Sequence, residues 1–321
     1  MNNNFPLSLK EIDKVEVCTV MDNYVDILLT DTKNVYRARM DKDGKIQTNT
    51  LFAEHGLSLI INLFSDGKKQ TILFDAGYSD TGVLHNLALL GIEPNSIDAM
   101  VLSHGHMDHT GSVNSILNLM QNKIPLIANP DVFLHPRYIK LENGGKRIFP
   151  RVLVKEQLKQ KNIDLILHRK PTLVANDMAL VTGEIERVTD FEKGLPNAFV
   201  EINGKTEKDN IKDDQSIVVN LKGKGLIVIS GCSHSGIINT LLSARKMTGV
   251  EKIHGVLGGF HLSGSFYKTI LKKTIEQFDK INPEVIVPMH CTGWESTVQL
   301  YEHFPDSFIL NAVGSKYIFS A

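Results

Sequence analysis

Cysteine is scarce in this chain: three in 321 residues, Cys18, Cys232 and Cys291, far apart from one another. An odd, sparse set argues against a disulfide framework and suits a reducing compartment. An excess of charge of one sign is missing too, with 35 basic against 36 acidic side chains. That balance gives no reason to expect nucleic acid or an anionic membrane as a bulk partner, although local patches remain open. No apolar run approaches the roughly eighteen residues a membrane span requires. The opening Met-Asn-Asn-Asn-Phe-Pro has neither a basic nor an apolar leader region, so no signal peptide is expected. These absences predict a soluble, cytoplasmic protein.

What is present is an ordinary globular composition, 42% apolar. A chain of this length buries roughly three quarters of its unfolded surface and needs no staples. One domain over residues 1–321 is expected, with 130–213 as an inserted subdomain or a set of covering loops. Residues 15–29 are β-rich, with the polar pair Asp22-Asn23 as a break, and 30–50 is a polar excursion with a turn at Lys42-Asp43-Gly44-Lys45. Strands are predicted over 57–64 and 71–74, joined as a hairpin by Ser65-Asp66-Gly67-Lys68. A helix over 83–90 stops at Gly91, and a short buried strand spans 98–102. The middle predicts a strand at 124–128, a helix start at 130–135, a loop at 141–150, a helix at 153–161, and strands at 163–167 and 178–182. The charged, Gly/Asn-rich stretch 184–213 reads as a long surface loop. A second hairpin, 216–221 with 226–230, is followed by a helix over 237–247. Strands at 253–257 and 285–287 alternate with helices at 266–278 and 294–303, and strands at 308–310 and 316–319 close the unit.

The chemistry concentrates between Ser103 and Ser112, Ser-His-Gly-His-Met-Asp-His-Thr-Gly-Ser, at the end of the 98–102 strand. His104, His106, Asp108 and His109 place four potential ligands in six residues. On a helix they would fan around the axis, whereas an extended loop lets alternate side chains converge. Imidazole and carboxylate suit zinc, iron or manganese, and such a cluster cannot be buried without a partner. Three later strand ends repeat the placement, presenting His234, His261 and His290. A lone histidine at such a position is ordinarily a loop residue; it is their common position that makes them candidates.

The His-x-His-x-Asp-His run resembles the signature of the metallo-β-lactamase superfamily. The resemblance covers the chain from about Leu57 onward and implies an α/β fold, a four-layer αββα sandwich with an irregular middle segment. By that resemblance His104, His106 and His234 would hold one ion, and Asp108, His109 and His290 a second. Two departures stand out. Where many dinuclear members carry a bridging aspartate after Ser-Gly, this chain has Cys232 after Ser230-Gly231. Asp213-Asp214-Gln215 occupy the region of another usual histidine. Either a water alone is shared, or Asp214 or Cys232 substitutes, or one ion is held.

The variants Glu54-His55-Gly56, Gly-Cys-Ser-His-Ser-Gly, Gly-Gly-Phe-His-Leu and Pro-Met-His-Cys-Thr-Gly narrow the likeness. They resemble the subgroup named for the 7,8-dihydropterin-6-methyl-4-(β-D-ribofuranosyl)aminobenzene-5′-phosphate synthase of the methanopterin pathway. The implied function is a metal-dependent hydrolase, or an enzyme processing C–N or C–O bonds. It would use zinc (one or two ions, with iron or manganese as alternatives) to lower the pKa of water toward 7 for attack on a small phosphorylated or pterin-like substrate. Asp108 is expected to aim that nucleophile and His261 to act as a donor or proton carrier, or else simply to pack. Asp75 is expected to orient a ligand histidine, or to act as a turn residue. Lys146, Arg147 and Arg151 are read as a solvated face that could also meet a phosphate. A homodimer is common among such proteins. A di-iron redox protein and a metal-containing sensor with little turnover are the alternatives.

Overall fold

The computed structural model describes residues 6–39, 41, 42, 44–159 and 161–321. The leader-free opening read above, and Asp43 of the predicted turn, lie largely or wholly outside them. Among the described residues, two large sheets face each other. The first runs, edge to edge, Ile163–Leu167, Ile124–Ala128, Ala99–Val101, Lys68–Phe74, Ser58–Ser65, Lys14–Met21, Lys316–Ser320 and Val35–Tyr36. The second runs Thr172–Val174, Ala179–Val181, Ser216–Leu221, Gly225–Ser230, Ile253–Gly259 and Val285–Met289, with Glu11–Ile12 added beside Ser216–Leu221.

Alternation explains the layering. Along Ser58–Ser65, Leu59, Ile61 and Leu63 enter the space between the sheets, where they meet Ile217, Val219, Ile229, Leu257 and Val287. Ile60, on the opposite face of the same strand, packs with Val83 and Leu87 of the helix Gly82–Leu89 and Ile116 of the helix Val113–Leu119. A third cluster lies outside the second sheet, joining Val228 and Ile286 to the helices Ile237–Thr248, Lys268–Ile281 and Trp294–His303. The central strands therefore bury both faces, and the order is helix, sheet, sheet, helix. This is the αββα sandwich, an α/β fold. No helix among the described residues is long and apolar enough to cross a membrane.

The structure departs from the sequence reading in four places, three of them in the middle segment. Residues 141–150 are not a plain loop: Lys146–Ile148 pairs antiparallel with Arg137–Lys140 around a turn at Gly144. The stretch 184–213 is not a surface loop either. It contains the hairpin Ala198–Ile202 with Lys205–Lys208, turned by Asn203-Gly204, both at positive φ. These four strands form a small separate sheet. Residues 163–167 and 179–181, by contrast, extend the two large sheets. The predicted helix at 153–161 shrinks to Lys155–Leu158, since Val154 at its entry is extended and no side chain caps it. Finally, 308–310 is no strand but a single bridge from Phe308 to Ile286.

Candidate metal centre

Five loops meet at one rim of the sandwich, each leaving the C-terminal end of a strand. The Ser103–Ser112 loop follows Ala99–Val101. His104 and His106 lie on extended backbone, as expected. The rest does not stay extended: Met107–Thr110 forms one helical turn, closed by the His109 N–H and the Thr110 Oγ1, which both donate to the His106 carbonyl. That turn carries Asp108 and His109 back toward the same point. Gly105 between the histidines is required sterically, since a Cβ there would meet the Val132 carbonyl oxygen at 2.2 Å.

His104 Nε2 lies 3.0 Å from His106 Nδ1 and 3.2 Å from His234 Nε2. Nitrogens held at about 2.0–2.1 Å around a tetrahedral ion lie roughly 3.3 Å apart, so the spacing fits a shared cation. The tautomer of His104 follows from its other nitrogen. Ser103 Oγ donates to Asp75 Oδ2 at 2.7 Å and so accepts from His104 Nδ1 at 2.9 Å, which leaves the Nε2 lone pair facing the other rings. His106 Nε2 and His234 Nδ1 are buried without a hydrogen-bond partner. Burial, followed by neighbouring cationic groups, holds all three imidazoles below their ordinary value, His106 at about 3. Neutral imidazole is the form a metal takes.

A second group adjoins the first. His290 Nε2 is 3.2 Å from Asp108 Oδ2, with His109 Nε2 at 3.9 Å and His55 Nε2 at 3.6 Å from the same oxygen. Asp108 Oδ1 has no partner. Burial pushes the Asp108 carboxyl up, but His109 and His290 outweigh that and hold it ionised. Asp75, buried and at φ +61°, receives His109 Nδ1–H at 2.6 Å and the Ser103 N–H at 2.7 Å. His109 Nε2 is therefore aimed into the centre, the orienting contact expected of a carboxylate behind a ligand histidine. Burial alone would lower the His109 imidazolium, and Asp75 with Asp108 overcomes it and raises it to about 9. The donor set, three neutral imidazoles of the first group beside an ionised carboxylate with an orphaned oxygen, fits a cation.

The structure brings all six predicted ligands to one rim. Asp214 is turned away, its Oδ2 receiving the Ser235 N–H at 2.8 Å. Cys232 is turned inward, its Sγ 3.1 Å from His109 Nε2. His261, at φ +45° and half-buried, lies with its ring tilted 49° to that of His234, centroids 4.3 Å apart, and with Nδ1 unpartnered. Lys146 is occupied by Glu201 and the Tyr138 ring, and Arg147 faces solvent. Arg151 borders the cleft beside His106, whose ring packs against Phe149 at 4.7 Å.

Sequence reasoning missed several supports. Asp22, read as a strand break, accepts the His290 N–H at 2.8 Å, and Asn23 donates to the His290 carbonyl at 3.0 Å. Arg137 is buried and forms paired bonds to Asp213 at 2.9 and 2.6 Å, while Asp213 also receives the Gly105 N–H at 2.8 Å. His55 sits exposed at the lip; the sequence reading includes it in Glu54-His55-Gly56 but gives it no role at the centre. A cavity of about 470 Å³ is lined by Leu262, Lys268, Trp294, Glu295 and Gln299, while His261 lines a separate, much smaller one with Ser233, His234 and Tyr267; Leu262 borders both.

An αββα sandwich with histidines and a carboxylate from the strand ends of both sheets at its rim defines a class. The chain belongs to the metallo-beta-lactamase superfamily, whose family model matches residues 54–290. Among individual proteins, it is similar to the 7,8-dihydropterin-6-methyl-4-(beta-D-ribofuranosyl)-aminobenzene-5′-phosphate synthase of Methanocaldococcus jannaschii. The two are 32% identical over 285 residues, 87% of this chain and 94% of that one. An uncharacterized protein of the same organism is 34% identical over 269 residues, 82% of this chain and 93% of its own length. A crystal structure described as a metal-dependent hydrolase of the beta-lactamase superfamily is 26% identical. It covers 96% of this chain and 100% of its own, with a TM-score of 0.73.

Proposed function

We propose that this protein is a metal-dependent enzyme of hydrolytic type, holding one or two zinc ions (or iron or manganese). His104, His106 and His234 form one ligand group, with Asp108, His109 and His290 the other. The observation that carries it is the convergence of three neutral, buried imidazole nitrogens within 3.0–3.2 Å beside an ionised carboxylate. Ions bound there would supply Lewis acidity, bringing the pKa of water toward 7 and neutralising charge on a substrate oxygen. Asp108 has a free Oδ1 to accept a hydrogen bond from the attacking water and fix its direction. His261, with an unpartnered Nδ1 and its ring beside that of His234, is placed to give a proton to a leaving group. Phe149 covers His106 and keeps bulk water from that side.

The substrate we infer is small and carries a planar heterocycle, a phosphate or both. Two features support this: the synthase relative is named for a phosphorylated pterin compound, and the cavity of about 470 Å³, which starts at Leu262 next in sequence to His261, offers the largely exposed Trp294 ring and the Lys268 ammonium. The imidazole-rich donor set, with one carboxylate, gives the di-iron redox reading no separate support. The test is metal content with turnover. Purified protein supplied with zinc, iron or manganese should retain about one or two ions per chain. His104→Ala should lose most of that metal and its turnover of phosphate esters or pterin conjugates while its circular dichroism stays unchanged. Retention of under about half an ion by the parent protein sinks the reading.

A further inference from the structure

Cys232 is buried and stands between the two ligand groups. Its Sγ lies within 4.8 Å of donor nitrogens on His104 and His234, and within 4.8 Å of those on His109 and His290. Among the described residues it is the one side chain whose donor atom belongs to both imidazole groups. The alternatives for a shared anion are all committed elsewhere. Asp214 is bonded to the Ser235 N–H, Asp213 to Arg137 and Gly105, and Asp75 to Ser103 and His109. Asp108 reaches His290 and His109 but not the His104 side.

Charge makes the same point. Two divalent ions held by uncharged ring nitrogens and a single carboxylate would carry a buried excess of positive charge, which a low-dielectric site does not tolerate unpaired. A thiolate lessens that excess by one unit, and zinc–sulfur bonds of about 2.3 Å are long enough for a sulfur to reach an ion on either side.

Building on the ligand groups proposed above, we propose that Cys232 is itself a metal ligand shared between them. Its proton passes to solvent as the cations bind. The centre becomes a mixed nitrogen, oxygen and sulfur site. A soft thiolate favours zinc or ferrous iron over manganese or magnesium, so the sulfur also narrows the choice of ion.

The test uses the full chain, stripped with a chelator and titrated with cobalt(II). The parent protein should take up about two ions and develop a near-ultraviolet sulfur-to-cobalt charge-transfer band. Cys232→Ser should lose that band and retain about one ion, with an unchanged circular dichroism spectrum before metal is added. Cys232→Asp should regain the second ion without the band. Cys291→Ser serves as the control. The Cys291 Sγ lies within 4.8 Å of Cys232 Sγ and of a His261 nitrogen but belongs to neither imidazole group, and its thiol is directed at the Cys232 carbonyl at 3.4 Å, so the variant should keep both ions and the band. Parent protein that binds two cobalt ions with no such band overturns the proposal, as does a band that survives in Cys232→Ser and disappears in Cys291→Ser. Parent protein that binds no cobalt at all instead defeats the ligand assignment on which the proposal rests.

Discussion

At the scale of single residues, the centre depends on groups that set which nitrogen of each imidazole faces inward. Asp75 is the clearest of these, since one carboxylate receives Ser103 N–H, Ser103 Oγ–H and His109 Nδ1–H. Through Ser103 it also settles the tautomer of His104. An Asp75→Asn change keeps the shape but puts an amide donor near one of these donors. Metal affinity should fall about 10–100-fold, the range for removing an outer hydrogen-bond partner of a ligand. A competitive titration against a chromophoric chelator measures it; an affinity within twofold of the parent would show that Asp75 does not orient the site.

Among elements, the helix Ile237–Thr248 has an unusual start. Its first turn has no capping side chain of its own and begins at Gly236, φ +99°. Glu192, from a distant loop, covers it instead, accepting from Ile238 N–H at 2.9 Å and Asn239 N–H at 2.7 Å. A Cβ on Gly236 would come 2.2 Å from the Glu192 Cδ, so glycine is what lets the carboxylate approach. Burial outweighs those two hydrogen bonds and raises the Glu192 carboxyl from 4.5 to about 7. Because the folded form then binds the proton more tightly than the unfolded chain, stability falls as pH rises from about 4.5 to 7 and changes no further above that window. The loss is on the order of 3 kcal/mol for this group. Urea unfolding across that range should show a slope in the parent protein that is flatter in Glu192→Gln; identical slopes would refute the assignment.

Across the whole molecule, two features tie the parts together. Arg137 from the small sheet, nearly inaccessible, bonds Asp213 bidentately and reaches Asp209 at 3.1 Å. Asp213 in turn anchors Gly105 between two candidate ligands. Arg137→Met leaves two carboxylates buried without their cation, so thermal or urea unfolding should register a loss of about 3–5 kcal/mol; a loss under about 1 kcal/mol would mean that the trio is dispensable. The second tie is the centre itself, whose ligands come from strand ends of both large sheets. A metal that binds only the folded chain stabilises it by about 2.7 kcal/mol at a hundredfold excess over its dissociation constant. Chelation should therefore lower the melting temperature, His104→Ala should show no further drop, and a chelated parent that melts unchanged would contradict a structural link.

Most of the four-layer frame and all six candidate ligands were legible in the sequence, because period-two apolar strands and a His-x-His-x-Asp-His run are local patterns. His234 and His290 stood out by their shared place at strand ends and by the family resemblance. The small sheet was not. Its Asn203-Gly204 turn was a readable hairpin signal hidden by charged, partly exposed strands such as Lys205–Lys208, which carry no apolar alternation. Asp22, Asn23, Arg137 and Glu192 act on partners 46 to 268 residues away, and no local pattern encodes such pairings. Chain order alone determined the strands and which residue types stand at their ends. Only the packing of one sheet on the other decided that Cys232 faces the centre and Asp214 faces away, since side-chain direction at a strand end depends on what the opposite layer leaves open.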